Sequence, residues 1–269
     1  MIVHNFDPVL IDFGLIQIKW YSLSYILGII IGWVYSLKII NSFSLNDYNF
    51  ISIKKSSFDD SIMYLVLGII LGGRLGYVIF YNPEYYIQNF IEIFKIWNGG
   101  MSFHGGLIGV IISTLIFCKV TKTSFFKFTD ILSCAAPIGI FLGRIANFIN
   151  GELYGKISNL PWSVIFPEGG NIGRHPSQIY EAVLEGLILF IFINYLALKK
   201  KLLFKTGYIS GIFLISYSVL RIISEYYREP DIHIGYLFNY FSLGTLLSLA
   251  TLIAGLIVIF FIKKNEQNN

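Results

Sequence analysis

Apolar residues are grouped along this chain into seven long segments, separated by shorter stretches that carry most of the charges. Each segment approaches the roughly 20 residues that a helix needs to cross a bilayer. The third segment is short and rich in glycine, so its first residue is hard to place. The pattern predicts an all-α polytopic membrane protein with seven transmembrane helices, at about 18–37, 61–80, 103–118, 131–149, 179–198, 207–225 and 241–262.

The composition supports this class, because 55% of the residues are hydrophobic, only 13% are charged, and the mean hydropathy is +0.67. A soluble domain cannot bury so much apolar surface. Residues 1–17 lack a basic start and a small-residue cleavage site, so we expect no signal peptide. The two cysteines, Cys118 and Cys134, lie in apolar surroundings, which indicates neither a disulfide framework nor a metal cluster.

The lysines predict the orientation, because 12 of the 15 fall in connections on one side of the predicted bundle or just after the last span. By the positive-inside rule that side is cytoplasmic, which places the N-terminus outside and the C-terminus inside. The net charge of +4 therefore reflects topology and does not indicate nucleic-acid binding. The twelve are Lys38, Lys54, Lys55, Lys119, Lys122, Lys127, Lys199, Lys200, Lys201, Lys205, Lys263 and Lys264.

The five arginines behave differently, since all of them fall in outer halves of spans or in outer connections. Arginine holds phosphate with a planar fork of donors and keeps its proton. The set therefore indicates an anionic ligand at the outer leaflet; the alternative is a set of Arg–Glu pairs at helix ends. The five are Arg74, Arg144, Arg174, Arg221 and Arg228.

Three outer connections, at about 81–102, 150–178 and 226–240, join the predicted spans. The middle one is the longest and is rich in proline and glycine, which predicts a small ordered arm or cap over the outer face. We find no internal repeat and predict a single integral membrane domain over 1–269, with 150–178 as an insertion within it. The last residues, 265–269, are expected to lack structure.

A polar cluster closes the fourth apolar segment, where Arg144, Asn147, Asn150 and Glu152 follow one another within nine residues. An arginine at a bilayer centre costs about 2.5–3.5 kcal/mol on insertion scales, so such a group indicates a functional site by default. If the helix continues, Arg144 and Asn147 share a face. The structural alternative is a polar knot that holds the helix end to the arm.

His104 opens the third span within Gly99-Gly100-Met101-Ser102-Phe103-His104-Gly105-Gly106. A neutral imidazole can accept a proton near physiological pH, and the flanking glycines permit close approach of backbone or lipid. The position favours a general base; the alternative is a capping or interfacial histidine.

Tyr217, Arg221 and Glu225 recur every four residues on the sixth span, so one helix face carries a phenol, a cation and an anion. The Arg221–Glu225 pair alone could be structural, whereas convergence with Arg144 would make a phosphate clamp. Tyr21, near the outer end of span one, fits an aromatic belt when it is considered on its position alone.

The chain resembles the bacterial prolipoprotein diacylglyceryl transferases over nearly its whole length. The resemblance rests on five strings in the family's order: GGRLGYVIFYN at 72–82, GGMSFHGGLIG at 99–109, GRIANFINGELYG at 143–155, RHPSQIYE at 174–181 and RIISEYYREPD at 221–231. Three positions depart from the family pattern, namely Ala146, Ser22 and Thr245, and none of them removes a charged group.

The resemblance implies a multi-pass enzyme of the bacterial inner membrane, with its active site toward the periplasm and without metal or cofactor. Such an enzyme moves the diacylglyceryl group of phosphatidylglycerol to the lipobox cysteine of a prolipoprotein signal peptide, and glycerol-1-phosphate leaves. The positions that match residues important in the family are Tyr21, His104, Arg144, Asn147, Glu152, Gly155, Tyr217, Arg221 and Glu225.

These residues suggest a division of roles. His104 would accept the thiol proton, Arg144 and Arg221 would bind the phosphate, and catalysis would also involve Tyr21. Asn147 and Tyr21 would orient the headgroup, with Gly155 and Tyr217 also at the substrate. Glu152 and Glu225 would also belong to the substrate-binding site, where they would position arginines. A transporter or channel for an anionic solute remains the alternative, although it would place charges through the whole membrane depth; a non-catalytic lipid-binding scaffold is a third possibility.

Overall fold

The structure is a computed structural model that describes residues 2–14, 17–44, 55–230, 235–237 and 240–268. Lys54, Asp231 and part of the third outer connection therefore lie outside the described residues. Seven described helices are long and apolar enough to cross a membrane, which confirms the predicted class. Their spans are Trp20–Phe43, Phe58–Phe80, His104–Thr121, Phe125–Asn150, Ser177–Lys199, Tyr208–Glu225 and Leu243–Gln267.

The elements follow one another in chain order. The strands are β1 (Ile2–Val3), β2 (Val9–Asp12), β3 (Gln17–Lys19), β4 (Val164–Ile165), β5 (Gly173–Arg174), β6 (Tyr236–Leu237) and β7 (Phe241–Ser242). The α-helices are α1 (Trp20–Ser44), α2 (Lys55–Phe80), α3 (Pro83–Gln88), α4 (Phe103–Thr121), α5 (Phe125–Asn150), α6 (Ser177–Glu181), α7 (Leu189–Asn194), α8 (Tyr208–Glu225) and α9 (Leu243–Asn268).

Several helices extend beyond the predicted spans: α2 begins at Lys55, α5 begins at Phe125, and both α1 and α9 end later than expected. Helix α1 continues past Lys38 to Ser44 because one lysine does not end a helix: its long stem lets the charge reach water while the helix proceeds. The residues after it, Ile39 and Ile40, are buried. Helix α9 continues to Asn268, so the expectation of an unstructured tail from residue 265 is wrong for its described part.

The chain divides into two compact units, one formed by Met1–Ser36 and Thr129–Asn269 and the other by Leu37–Phe128. The single membrane domain stays a prediction.

In the Leu37–Phe128 unit, glycines let α2 and α4 pack backbone against backbone. A Cβ atom on Gly109 would lie 1.9 Å from the carbonyl oxygen of Gly68, and one on Gly105 would lie 2.3 Å from that of Gly72. Small residues permit such close helix approach in membranes. The recurring glycines of these spans are therefore explained by packing.

Replacing Gly109 by alanine is expected to destabilise the protein by about 1–3 kcal/mol, because the methyl group would force the two helices apart. Gly106→Ala is the matched control on the same helix, since a Cβ there meets only the carbonyl of Ile69, at 3.7 Å. Thermal unfolding in detergent measures both. Equal melting temperatures for the two variants would contradict the packing argument.

In the other unit, Asp130 of α5 caps α8 from outside the helix. Its carboxylate accepts hydrogen bonds from the backbone amides of Gly207 at 2.5 Å and Ser210 at 2.7 Å, and from the Ser210 hydroxyl at 2.7 Å. The first amides of a helix lack intrahelical partners, and a carboxylate satisfies them and complements the helix dipole. This contact ties the start of α8 to α5 and sets the register between them.

The connection predicted as an ordered arm holds strands β4 and β5, which form a three-stranded sheet with the N-terminal strand β1. Strand β1 pairs with β4 in parallel, and β4 pairs with β5 in antiparallel fashion. His4, 5% exposed, donates from Nε2 to the carbonyl oxygen of Phe148 at 2.6 Å. The N-terminal segment is thereby joined to the last turn of α5, where the polar cluster begins.

Candidate active site

The polar cluster at the end of α5 adopts the predicted helical spacing, because α5 continues through Asn150. The chain then turns at Gly151, whose φ of +71° suits glycine. The Glu152 carboxylate accepts from the side-chain amides of Asn147 at 2.8 Å and Asn150 at 3.3 Å. Among the described residues, no arginine lies within ion-pair distance of Glu152. The expectation that Glu152 positions an arginine is therefore wrong; it orders two amides.

The start of α6 holds the turn that carries Glu152. The side-chain amide of Gln178, 1% exposed, donates to the Glu152 carbonyl at 2.6 Å, and the Ser177 hydroxyl donates to the Leu153 carbonyl at 3.0 Å. These contacts also agree with the structural alternative, in which polar groups hold the end of α5 to the arm. The Glu152 backbone is thus fixed from two sides.

Gly155 is a packing position between the arm and the residues that follow α8. Its amide donates to the His175 carbonyl at 2.9 Å, and a Cβ there would lie 2.6 Å from that oxygen and from the Tyr227 carbonyl oxygen. Burial, together with nearby Lys156, lowers the pKa of His175 below its ordinary value. Packing alone thus accounts for glycine at 155, while its substrate role stays a prediction.

Two acids that the sequence analysis did not assign to the site, Glu181 and Glu185, are fully buried in the fifth span. Glu181 ends α6, and Glu185 lies in the π-helical stretch Ala182–Ile188 that follows. π-helical turns are rare and occur frequently at functional sites. The available signal was a pair of carboxylates four residues apart inside an apolar segment, where an unpaired charge is costly.

The two buried acids join an arginine of α5, an arginine of α8 and an arginine just after α8 into one ion-pair cluster. Arg144 contacts Glu181 at 2.9 Å and Glu185 at 3.3 Å, and Arg221 contacts the same two acids at the same distances. Arg221 also pairs with Glu225 at 2.5 Å, and Arg228 lies 3.9 Å from Glu181. Arg144 and Arg221 therefore converge as predicted, but they do so by contacting the same two carboxylates. We call these six residues, three arginines and three glutamates, the Arg–Glu cluster.

The charge balance of the Arg–Glu cluster, and the exposure of its arginines, limit the predicted phosphate clamp. The cluster contains three cations and three anions, so its arginines form the Arg–Glu pairs of the alternative interpretation. Its positive charge is therefore largely neutralised before any ligand binds. The Arg144 side chain keeps 18% of its exposure, against 8% for Arg221 and 0% for Glu181. Arg144 is therefore the more accessible cation of the pair, whereas Arg221 is the internal link.

Serine hydroxyls donate to two of the three acids of the Arg–Glu cluster. Ser224 donates to Glu185 at 2.6 Å, and Ser242 donates to Glu225 at 2.8 Å. Thr245, one of the departures from the family pattern, hydrogen-bonds with Ser242 through its hydroxyl at 3.0 Å and its amide at 3.2 Å. This departure thus acts on the cluster through Ser242 and does not remove a charge.

The aromatic candidates lie beside the same cluster. Tyr217 interacts electrostatically with Arg144, Arg221 and Glu185, and Tyr21 interacts with Arg144 and Glu152. The Tyr21 hydroxyl also pairs with that of Tyr25 at 3.1 Å. The Met1–Ser36 and Thr129–Asn269 unit therefore gathers most of the predicted site residues: Tyr21, Arg144, Asn147, Glu152, Tyr217, Arg221 and Glu225.

His104 belongs to the other unit, where it is the second residue of α4 and is exposed. Ser102 is the N-cap of this helix, and its hydroxyl accepts from the Gly105 amide at 3.2 Å. Ser102, and not His104, is therefore the N-cap of α4. A role of His104 as base stays a prediction.

Replacing Glu181 by glutamine is expected to lower the free energy of unfolding by about 3 kcal/mol, because two buried guanidinium groups lose a shared anion. The exchange keeps the shape of the side chain and removes only its charge. Glu84→Gln, at an exposed position of α3, is the control and should change stability by less than about 0.5 kcal/mol. Denaturation in detergent measures both, and equal stabilities would show that the shared charge contributes nothing.

Among the described residues, no group of three or more His, Cys, Asp or Glu side chains is arranged to hold a metal ion.

Comparison with known proteins identifies the family. The model of the prolipoprotein diacylglyceryl transferase family matches residues 8–261. The phosphatidylglycerol–prolipoprotein diacylglyceryl transferase of Rickettsia typhi (strain ATCC VR-144 / Wilmington) is 50% identical over 255 residues, covering 95% of this chain and 96% of the relative. The protein of the same name from Rickettsia bellii (strain OSU 85-389) is 48% identical over 255 residues, covering 95% of each chain. The chain therefore belongs to the prolipoprotein diacylglyceryl transferase family.

Proposed function

We propose that this membrane protein transfers the diacylglyceryl group of phosphatidylglycerol to the cysteine thiol in the lipobox of a prolipoprotein signal peptide. The observation that carries the proposal is the match to this family over almost the whole chain. Two largely buried arginines of the transmembrane helices, Arg144 and Arg221, support it. A phospholipid headgroup is an anionic ligand at that depth, and arginine binds phosphate well.

The reaction exchanges one bond for another at a saturated carbon. The cysteine sulfur attacks the glycerol carbon that bears the phosphate ester, a C–S bond forms, and the C–O bond breaks. The bonding electrons pass to the phosphate oxygen, and glycerol-1-phosphate leaves. The thiol proton passes to a base, since only the thiolate is a good nucleophile.

Arg144 is the residue that we assign to the lipid phosphate. Its guanidinium has five N–H donors and contacts two acids, which leaves donors for a ligand at its exposed edge. Charge on the leaving phosphate grows during the reaction, and donors held in place by surrounding acids stabilise it without reorganising. Arg221 and Glu225 hold Arg144 indirectly through the shared glutamates.

The neutral side chains beside Arg144 are assigned to the headgroup. The Asn147 amide and the Tyr21 hydroxyl lie at the end of α5 and at the start of α1, beside Arg144 and Glu152. Glu152 orients Asn147, and Gly155 keeps the arm close to the residues that follow α8. We assign proton acceptance to His104, which stands at the start of its helix.

The placement of the lysines supports the location that we propose. We place the protein in the bacterial inner membrane as a multi-pass enzyme, with the Arg–Glu cluster toward the periplasmic side, where prolipoproteins present the lipobox. Both substrates are confined to the bilayer, so they approach sideways between helices, and the membrane supplies proximity. The water-soluble product leaves on the periplasmic side.

Purified protein in phosphatidylglycerol nanodiscs, incubated with a lipobox peptide, tests the function. We expect a peptide mass increase of one diacylglyceryl group and release of glycerol phosphate. A peptide with Ser in place of Cys is the matched control for the need of a thiol. Discs of phosphatidylethanolamine test whether transfer requires the phosphatidylglycerol headgroup. Absence of thioether product in phosphatidylglycerol would overturn the proposal. The transporter alternative has no support in the relatives' names, and flux of an anionic solute into liposomes would be its signature.

A further inference from the structure

Arg74 is an arginine of the predicted outer set that lies outside the Arg–Glu cluster and is 4% exposed in α2. Its guanidinium donates to five backbone carbonyl oxygens of the segment 92–100: Nε to Ile93 at 2.8 Å, Nη1 to Gly99 at 2.5 Å and Gly100 at 3.1 Å, and Nη2 to Glu92 at 2.5 Å and Lys95 at 3.3 Å. We call this arrangement the carbonyl cage.

The carbonyl cage uses the full donor capacity of Arg74. A guanidinium carries five N–H groups, and five oxygens receive them. Within the part of the chain that the structure describes, no carboxylate lies within ion-pair distance of Arg74, and the ring of Tyr86 lies 5.2 Å from its central carbon. The expectation that Arg74 contributes to binding an anionic ligand is therefore wrong, because no donor remains for a phosphate.

The caged segment consists of two short 3₁₀ helices, Phe90–Phe94 and Ile96–Asn98, followed by Gly99 and Gly100 with φ of +79° and +76°. Such short helices leave carbonyl groups without intrahelical partners. Arg74 supplies those partners from α2. A single side chain thereby determines the path of the chain just before α4.

The caged segment leads directly into the turn that carries His104. The Ser102 amide donates to the carbonyl of Gly73, the neighbour of Arg74, at 2.8 Å, and Ser102 then caps α4. A Cβ on Gly100 would lie 2.9 Å from Nη1 of Arg74 and 2.6 Å from the Tyr77 ring, so the backbone can pass only as glycine. Two adjacent residues of α2 thus hold the chain on its approach to His104.

We propose that Arg74 is a positioning residue for His104: by binding the carbonyls of residues 92–100 it sets the place and direction from which the imidazole meets the substrate thiol. This inference rests on the proposed function. Lysine keeps the charge but presents three donors at one point, so it cannot satisfy a cage of five spread oxygens. Misplacing a catalytic group by about 1 Å costs on the order of 10²-fold in rate.

The test measures Arg74→Lys in two backgrounds, with His104 intact and in His104→Ala, using purified protein and the thioether assay. We expect Arg74→Lys to lower kcat by about 10²-fold with His104 present, to leave the KM for phosphatidylglycerol unchanged, and to cause no further loss in His104→Ala. Losses that multiply, or a raised KM, would overturn the positioning role. A wild-type protein without product would instead refute the proposed function.

Two additions keep the test decisive. Gly100→Ala perturbs the same cage without touching the charge, and it should reproduce the His104-dependent loss if Arg74→Lys fails to fold. If His104→Ala has no measurable turnover, the rate at which diethyl pyrocarbonate modifies His104, read from peptide masses, should differ from wild type in Arg74→Lys. An unchanged modification rate would contradict the proposal.

Discussion

Replacing Arg221 by alanine is expected to reduce the rate of diacylglyceryl transfer by at least about 10²-fold while the protein still inserts into the membrane. Arg221 joins Glu181, Glu185 and Glu225, and its removal leaves three buried carboxylates to share Arg144 and the more distant Arg228. Arg144 is then drawn toward the acids and away from the phosphate. The measurement is thioether formation per inserted protein.

Arg221→Lys separates charge from geometry. A lysine restores the positive charge but not the fork that reaches the three acids at once, so we expect partial recovery of stability and little recovery of turnover. Arg174→Ala, which breaks a pair with Glu229 in the arm, is the control for loss of an arginine outside the cluster. Near-normal turnover of Arg221→Ala would remove the argument that the cluster holds the phosphate-binding arginine.

Replacing His104 by alanine is expected to lower kcat by about 10²–10⁴-fold at neutral pH, the usual contribution of a positioned general base. The deficit should shrink as pH rises past roughly 8.5, because the free cysteine thiol then ionises without help. Retention of the lipid by the variant is expected, since the residues assigned to the phosphate lie elsewhere. Turnover measured between pH 6 and pH 9.5 or so, relative to wild type, provides the profile.

A His104→Ala variant that keeps most of its activity at neutral pH would mean that another group, or water, deprotonates the thiol. A deficit that stays constant across the pH range would point to a structural role at the start of α4. His104→Gln is a useful companion, because it retains a polar side chain without a proton acceptor of comparable basicity.

The departures from the family pattern are structurally mild. Ala146 is 2% exposed within α5, and Ser22 is exposed on α1. Neither side chain carries charge, and Thr245 reaches the cluster only through Ser242. We therefore expect the activity of the family to be retained in this chain.

The membrane class and the number of spans could be predicted from the amino-acid sequence alone, and the structure confirms both. Apolar length and lysine placement report directly on transfer into a bilayer, which is a local property of each segment. The helical spacing of Arg144 with Asn147, and of Arg221 with Glu225, was likewise readable, because neighbours on one helix are set by its period. The length of α1 could not be predicted in this way, because the long side chain of one lysine can reach water without ending the helix.

The pairing of the charged side chains could not be predicted from the sequence, because it depends on how the helices pack. Glu181 and Glu185 are far from Arg144 and Arg221 along the chain, and their pairing depends on how three helices pack. Arg74 appeared equivalent to the other outer arginines, yet its partners are backbone carbonyls, which no side-chain pattern encodes. A sequence specifies the type and sign of each group, whereas the net charge that a ligand meets depends on which partners the fold brings within a few ångströms.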